Sequence, residues 1–456
     1  MATLYPRLSS NYIASRSLFA PAPRNARLRI IRPVILFSNQ RRLNHATADN
    51  KGPLDGIRIL DLTRVLAFKG PFCTQILADY GADVLKIENP SGGDDTRSWR
   101  TAAEKDIWKA SEKDISAYFC GINRNKRSMT LNLKQEQGRE ILFRLVKRAD
   151  IVVDNFIPGK MDDMGIGYEK LHGINPSIIH ASVSGYGARG PYAHRAGYDA
   201  IAAAEAGLLH ITGEKDGPPT RPGLGLTDMS TGLYLHGAIL AALFSRQKTG
   251  MGQKIDASLF ESQVSLLSNV AMSWLNGGVE AQRWGTEHPS IVPYQAFQTK
   301  DSYIVLGATN NRQYKILCGL MDRGDLIEDP RFVDNSARVQ NREELIKILT
   351  KIIGEKSTDE WLNILEGSGM PYGPINTVEK VFSHPQTEAT EMVRDIPSEL
   401  ASSGAIKILG FPVKFSETKP DVRTSPPGLG EHTEDTLREL GYSNEDVRKL
   451  RASKLV

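Results

Sequence analysis

Cysteine is scarce: Cys73, Cys120 and Cys318 are the only three in 456 residues, far apart, with no CxxC pair and no histidine array beside them. That excludes a disulfide framework and a zinc site of ordinary ligand spacing, and a reducing compartment is the simplest setting. Long apolar runs are missing too. The longest, residues 237–244, falls far short of the roughly 20 residues that cross a bilayer, so no membrane partner is expected. No GxGxxG follows the first strand-like run, which counts against a classical dinucleotide site. The nearest glycine turn, Pro90-Ser91-Gly92-Gly93-Asp94-Asp95, is too acidic to cradle a pyrophosphate. Internal repeats are absent.

Acids are absent from residues 1–48, which carry eight arginines, among them Arg16, Arg24, Arg27, Arg29, Arg32, Arg41 and Arg42, interleaved with Ser, Ala, Leu and Ile. This Arg-rich, acid-free composition is that of a mitochondrial transit peptide, and a matrix location is expected. The whole chain carries a net charge of only +4, so without those eight arginines the remainder is slightly acidic, and nucleic acid is not an expected partner.

What is present reads as an α/β protein. Residues 56–62 are strand-like, 72–81 helical and 83–88 strand-like, the opening of a parallel sheet. The pattern repeats with a strand at 128–133, an amphipathic helix at 135–148, and strands at 150–154 and 177–183, the last after a helix that Pro176 ends. A long apolar helix over 233–247 and a strand at 254–258 follow, and a second strand-rich unit begins near Pro293. At 456 residues about two domains are expected. In open α/β sheets ligands sit at the carboxyl ends of the strands, where the turns Asn155-Phe156-Ile157-Pro158-Gly159 and Ser184-Gly185-Tyr186-Gly187 fall.

The stretch Pro222-Gly223-Leu224-Gly225-Leu226-Thr227-Asp228 ends in an acid that opens a helical pattern. Free backbone N–H groups and the positive end of the helix dipole are expected to keep Asp228 ionised, and the glycines let a bulky thioester approach. Asp228 is therefore a candidate nucleophile. The competing reading is a plain helix N-cap.

Together with Asp228, the segments Leu54-Asp55-Gly56-Ile57-Arg58-Ile59-Leu60-Asp61-Leu62-Thr63, Gly81-Ala82-Asp83-Val84-Leu85-Lys86-Ile87-Glu88, Asn125-Lys126-Arg127-Ser128, Asn155-Phe156-Ile157-Pro158-Gly159, Gly197-Tyr198-Asp199, Pro371-Tyr372-Gly373-Pro374 and Leu429-Gly430-Glu431-His432-Thr433 resemble family III CoA-transferases. The resemblance runs from about residue 52 to the end. It implies an interlocked homodimer with a Rossmann-like large domain, whose parallel sheet is formed from both chain ends, and a smaller α+β domain. The corresponding boundaries are 1–48 transit peptide, 52–262 large domain, 275–384 small domain and 385–456 return to the large domain.

The same resemblance implies transfer of CoA through an aspartyl-CoA thioester on Asp228, with CoA thioesters as substrates and no permanently bound cofactor. Positions matching the family's CoA contacts are Val65, Leu66, Asn89, Leu131, Asn132, Leu133, Lys134, Asn155, Phe156, Ile157, Ala196, Gly197, Tyr198 and Asp199. Arg64 and Arg195 are candidates for a substrate carboxylate, which a guanidinium grips bidentately. Arg195 to Asp199, Arg283 to Thr286 and Ile291 to Phe297 most resemble members that move CoA from succinyl-CoA to a dicarboxylic acid such as glutarate or hydroxymethylglutarate. Three departures stand out: an insertion of Phe68 and Lys69 beside the CoA site, Leu66 in place of the glutamine of formyl-type enzymes, and Asp163 in place of an arginine. Oxalate chemistry is accordingly not expected. Two alternatives stay open, an acyl-CoA racemase of the same family and a CoA-binding protein without catalysis. Against the racemase, its acid/base histidine is replaced here by Tyr198, whose phenol with a pKa near ~10 is a poor base at neutral pH.

Overall fold

The computed structural model describes residues 52–64 and 69–456; residues 1–48, read as a transit peptide, and Val65, Leu66 and Phe68 lie outside the described residues. Six short strands, β1 (Arg58–Asp61), β2 (Asp83–Glu88), β3 (Lys126–Thr130), β4 (Ile151–Asp154), β5 (Ile179–Ser184) and β6 (Lys254–Ser258), pair in the order β3-β2-β1-β4-β5-β6, every pair parallel. Helices pack on both faces of the central strands. All four residues of β4 are buried, which is why Ile151, Val152 and Val153 follow one another without a polar break. The strand order reverses between β1 and β4, a topological switch point, where open α/β sheets place their ligand crevice.

One core packs Leu60, Leu85, Met129, Ile141, Leu142 and Val152 together with Leu437, Val447, Leu450 and Leu455 from the far end of the chain. The C-terminal helices Thr433–Glu439 and Asn444–Ala452 thus complete the face that the helix Glu136–Val146 begins. The opposite face packs Ile59, Val84, Val153 and Val183 against Leu77 of the helix Lys69–Asp79 and against Leu235 and Ile239 of the helix Leu226–Thr249. A second sheet, β7 (Tyr294–Gln298), β8 (Tyr303–Gly307) and β9 (Tyr372–Pro374), is antiparallel and carries its own core around Trp361, Phe332 and Tyr314.

The parallel sheet expected from both chain ends instead draws all six strands from residues 58–258, and the C-terminal segment adds helices and a separate hairpin. Three elements differ from the expectation as well. The strand expected at 128–133 spans Lys126–Thr130, because the Lys126 ammonium is buried against Asp61 (3.0 Å) and the strand starts on a charge. The helix expected at 233–247 begins at Leu226, so Asp228 lies inside its first turn, beyond the N-cap residue Gly225. An antiparallel hairpin, β10 (Val393–Pro397) with β11 (Ala405–Leu409), has no counterpart in the sequence reading; its outward face pairs Lys407 with Asp395, which masks the apolar alternation of Ile396, Ile406 and Ile408.

Candidate active site

A cleft of about 880 Å³ opens at the carboxyl ends of β1 to β4. Of the residues expected to hold CoA, Asn89, Leu131, Asn132, Leu133, Lys134, Asn155, Phe156, Ile157 and Tyr198 line it, as does Arg64. Val65 and Leu66 lie outside the described residues. Ala196, Gly197, Asp199 and Arg195 are not among its lining residues. The cleft also draws in Lys160, His194 and Asp163. Lys160 directly follows the Asn155–Gly159 turn, so extending that motif by one residue would have found it.

Short-range polar contacts fix the walls. Asn155 braces the loop after β1: its Oδ1 accepts the Arg64 N–H (3.1 Å) and its Nδ2 donates to the Arg64 carbonyl (2.5 Å). On the β2 side, Arg97 grips Glu88 bidentately (2.8 and 2.6 Å), and Glu88 also accepts from Ser128 Oγ (2.6 Å) and the Asp94 N–H (3.0 Å). Burial works against the Glu88 charge, yet Arg97 and Lys86 outweigh it and hold the carboxyl below the usual range. Lys86 in turn pairs with Asp94 at 2.9 Å, both side chains fully buried. At Gly93 a side chain would meet Leu429 Cδ1 at 2.6 Å and Glu88 Oε2 at 2.8 Å, so the wall and the C-terminal segment touch there. Lys134 stands on the exposed rim, and no ion pair engages its ammonium among the described residues.

Gly197 and Asp199 have other work. A Cβ on Gly197 would lie 2.6 Å from the Gly185 Cα, so two backbones meet where β5 ends, and this close approach sets Tyr198 at the cleft. Asp199 turns the other way. Its Oδ1 accepts the backbone N–H of Asp228 at 3.1 Å, and Arg221 Nη2 lies 3.7 Å from its second oxygen. Arg195 forms an ion pair with Glu205 (2.9 Å) and lies over the rings of Tyr186 and Tyr192.

Asp228 is 1% exposed, and neither carboxylate oxygen has a hydrogen-bond partner among the described residues. The free N–H groups of the helix start do not reach its side chain. Burial is therefore the dominant influence and raises the carboxyl above the ordinary range; Asp199 adds to this, while Lys69 and Arg221 oppose it. The expectation that free N–H groups of the helix start keep this group ionised is thus corrected: none of them engages the carboxyl, and burial raises it. Lys69 is itself 1% exposed at the start of its helix; burial lowers its ammonium and Asp228 raises it. Asp228 is not among the cleft's lining residues; the link between them is indirect, through Tyr198 on the wall and its neighbour Asp199, which accepts the Asp228 backbone N–H.

The described residues thus combine a Rossmann-order sheet, a mixed polar and apolar cleft at its switch point, and a buried carboxylate without a hydrogen-bond partner. A model of CoA-transferase family III matches residues 54–433. The chain is 55% identical to an acyl-CoA transferase of Fusarium pseudograminearum, over 92% of this chain and 91% of that one. It is 46% identical to the human succinyl-CoA:glutarate CoA-transferase, over 90% of this chain and 91% of that one. Among solved structures, a CAIB/BAIF family protein from Brucella suis superposes with a TM-score of 0.77 at 40% identity, covering 86% of this chain and all of that one.

Proposed function

The chain belongs to CoA-transferase family III, and from that premise we propose that it passes CoA from succinyl-CoA to a dicarboxylic acid such as glutarate or hydroxymethylglutarate, with Asp228 as the nucleophile. One observation carries this reading: among the described residues Asp228 is the buried carboxylate whose two oxygens are both unengaged. A carboxyl that is neither solvated nor hydrogen-bonded costs stability, and such strain is characteristic of a site kept for chemistry.

The Asp228 carboxylate attacks the thioester carbonyl of succinyl-CoA, the C–S bond breaks, and a succinyl-aspartyl anhydride and CoA thiolate form. The thiolate attacks the aspartyl carbonyl of that anhydride, releasing succinate and leaving an aspartyl-CoA thioester. The acceptor carboxylate attacks this thioester to give a second anhydride and thiolate. The thiolate then takes the acceptor acyl group, and Asp228 is regenerated. Thioester and anhydride carbonyls are exchanged throughout, so no ATP is required. Arg64 and Lys134 offer cations to the ligand's carboxylate and phosphates, and Leu131, Phe156 and Ile157 give apolar wall for the pantetheine arm and adenine.

In this reading the sheet domain spans 52–262 and recovers 385–456, the smaller domain spans 275–384, and two copies interlock. Exposure of Met272, Trp274 and Leu275 on the helix Ser268–Gly277, the last at 72%, supports a covered face. The composition of residues 1–48 supports import into the mitochondrial matrix. The test is incubation with succinyl-CoA and glutarate, following glutaryl-CoA by mass, with hydroxylamine added to convert an acylated or thioester-linked Asp228 to its hydroxamate. Transfer by Asp228→Asn at the wild-type rate, or no acyl-CoA-dependent hydroxamate, would overturn it.

A further inference from the structure

Beneath the cleft lies a buried polar group that the transfer chemistry does not use. Asp154, the last residue of β4, is 3% exposed, and its Oδ2 accepts His180 Nε2–H at 2.8 Å and Ser182 Oγ–H at 2.5 Å. Both donors sit on β5, two residues apart and so on one face of that strand, in the register that sets Asp154 opposite Ser182. His180 is 2% exposed and stacks against Tyr168, with ring centroids 6.2 Å apart. The other oxygen, Oδ1, accepts the Phe156 N–H at 3.0 Å and so bends the chain immediately after the strand. That bend presents Phe156 and Ile157 to the cleft and aims Asn155 at the Arg64 backbone.

We propose that His180 and Ser182 are positioning residues for CoA: by fixing the buried Asp154 carboxylate they set the turn that carries the β4 wall of the cleft. The inference rests on the reading of that cleft as the CoA site. A buried carboxylate stripped of two of its three donors must seek others, and the backbone N–H groups of the adjacent turn are the ones within reach. The wall then shifts while Asp228, held from Asp199 on a different element, stays in place. Such a change weakens the binding of CoA in ground state and transition state alike, which raises KM and leaves kcat unaltered.

The experiment uses the full chain. The Kd of CoA is measured by calorimetry, and kcat and KM for succinyl-CoA are measured with glutarate as acceptor, for wild type, His180→Leu, His180→Gln, Ser182→Ala and, as a reference for the cleft, Lys134→Ala. His180→Leu is expected to raise both Kd and KM between about tenfold and a hundredfold, the range for sub-ångström to ångström misplacement, with kcat within about twofold. His180→Gln, whose Nε2 restores a donor near the imidazole Nε2, is expected to recover most of that loss. A purely structural defect lowers the active fraction and hence apparent kcat, but it leaves the KM of the surviving molecules alone, so the split separates the two. If His180→Leu does not fold, Ser182→Ala removes one hydroxyl and decides the matter by the same split. Wild-type Kd and KM in the folded variants, alongside weakened binding by Lys134→Ala, would overturn the positioning role. Unaltered CoA affinity in Lys134→Ala would instead overturn the cleft assignment on which it rests.

Discussion

Lys69→Met isolates the charge that favours the ionised form of Asp228, the proposed nucleophile. Lys69 and Asp228 are each 1% exposed, so each feels the other's charge through protein rather than through water. Burial raises the Asp228 carboxyl, and of the two cations that oppose this, Arg221 has a side chain 55% exposed and is screened by solvent, which leaves Lys69 as the principal one. With an effective dielectric near 20, opposite charges are worth roughly 4 kcal/mol at contact and half that at twice the distance. At about 1.4 kcal/mol per pH unit, removing the ammonium moves the carboxyl up by roughly 1–3 units. The reactive form is the carboxylate and Lys69 favours it, so its loss shifts the acid limb of kcat/KM towards higher pH, while activity well above the limb falls less. The assay is glutaryl-CoA formation from succinyl-CoA across about pH 5.5 to 9.5, with Lys69→Arg as the variant that keeps the charge. An acid limb that stays in place or moves to lower pH in Lys69→Met would refute the pairing, as would a Lys69→Arg profile identical to that of Lys69→Met.

Asp228→Asn is expected to lower kcat by at least about a thousandfold, a loss of roughly 4 kcal/mol of transition-state stabilisation, with CoA affinity measured by calorimetry largely kept. Arg97→Met leaves Glu88 charged and buried, a change worth about 3–5 kcal/mol, and thermal unfolding is expected several degrees lower; an unchanged Tm would show that Glu88 finds another partner. Asp61, Glu88 and Asp94 are all held below the ordinary carboxylate range against the cost of burial, by Lys126, Arg97 and Lys86. Depressed acids contribute stability that is present above the unfolded value near ~4 and lost as pH falls through the folded values, so Tm is expected to hold from neutrality to about pH 5 and to collapse below it. Lys134→Ala and Lys160→Ala are each expected to raise the KM for succinyl-CoA and to flatten its salt dependence, measured between about 50 and 300 mM salt.

Several strands were legible, though not their order in the sheet: Asp83–Glu88 is buried along nearly its whole length and reads as a compact apolar run, and Lys254–Ser258 falls where its alternation puts it. The turns that line the cleft were legible for a related reason: Asn155 to Pro158 carry turn chemistry at a strand's carboxyl end. What one dimension does not show is which way a side chain faces. Tyr198 and Asp199 are neighbours, yet one lines the cleft and the other accepts the backbone N–H of Asp228. Lys69 reads as a stray insertion in sequence, and only the packing of its helix along Leu226–Thr249 brings it to Asp228. The ionisation of Asp228 was misjudged because a helix start is visible in sequence, whereas the burial that raises this carboxyl is a property of the assembled core.

The docking of the C-terminal segment on the first sheet has a consequence for biosynthesis. The Thr130 N–H is met by Thr433 Oγ1, 303 residues further along, and the Asn132 N–H by the Leu455 carbonyl. A ribosome elongating at about 5–20 residues per second needs some 15 to 60 seconds to cover that interval, during which β3 waits with its edge and apolar face uncovered. Chaperone occupancy of nascent chains, mapped by selective ribosome profiling, should therefore rise once Lys126–Thr130 clears the exit tunnel and fall only when Thr433–Ala452 follows.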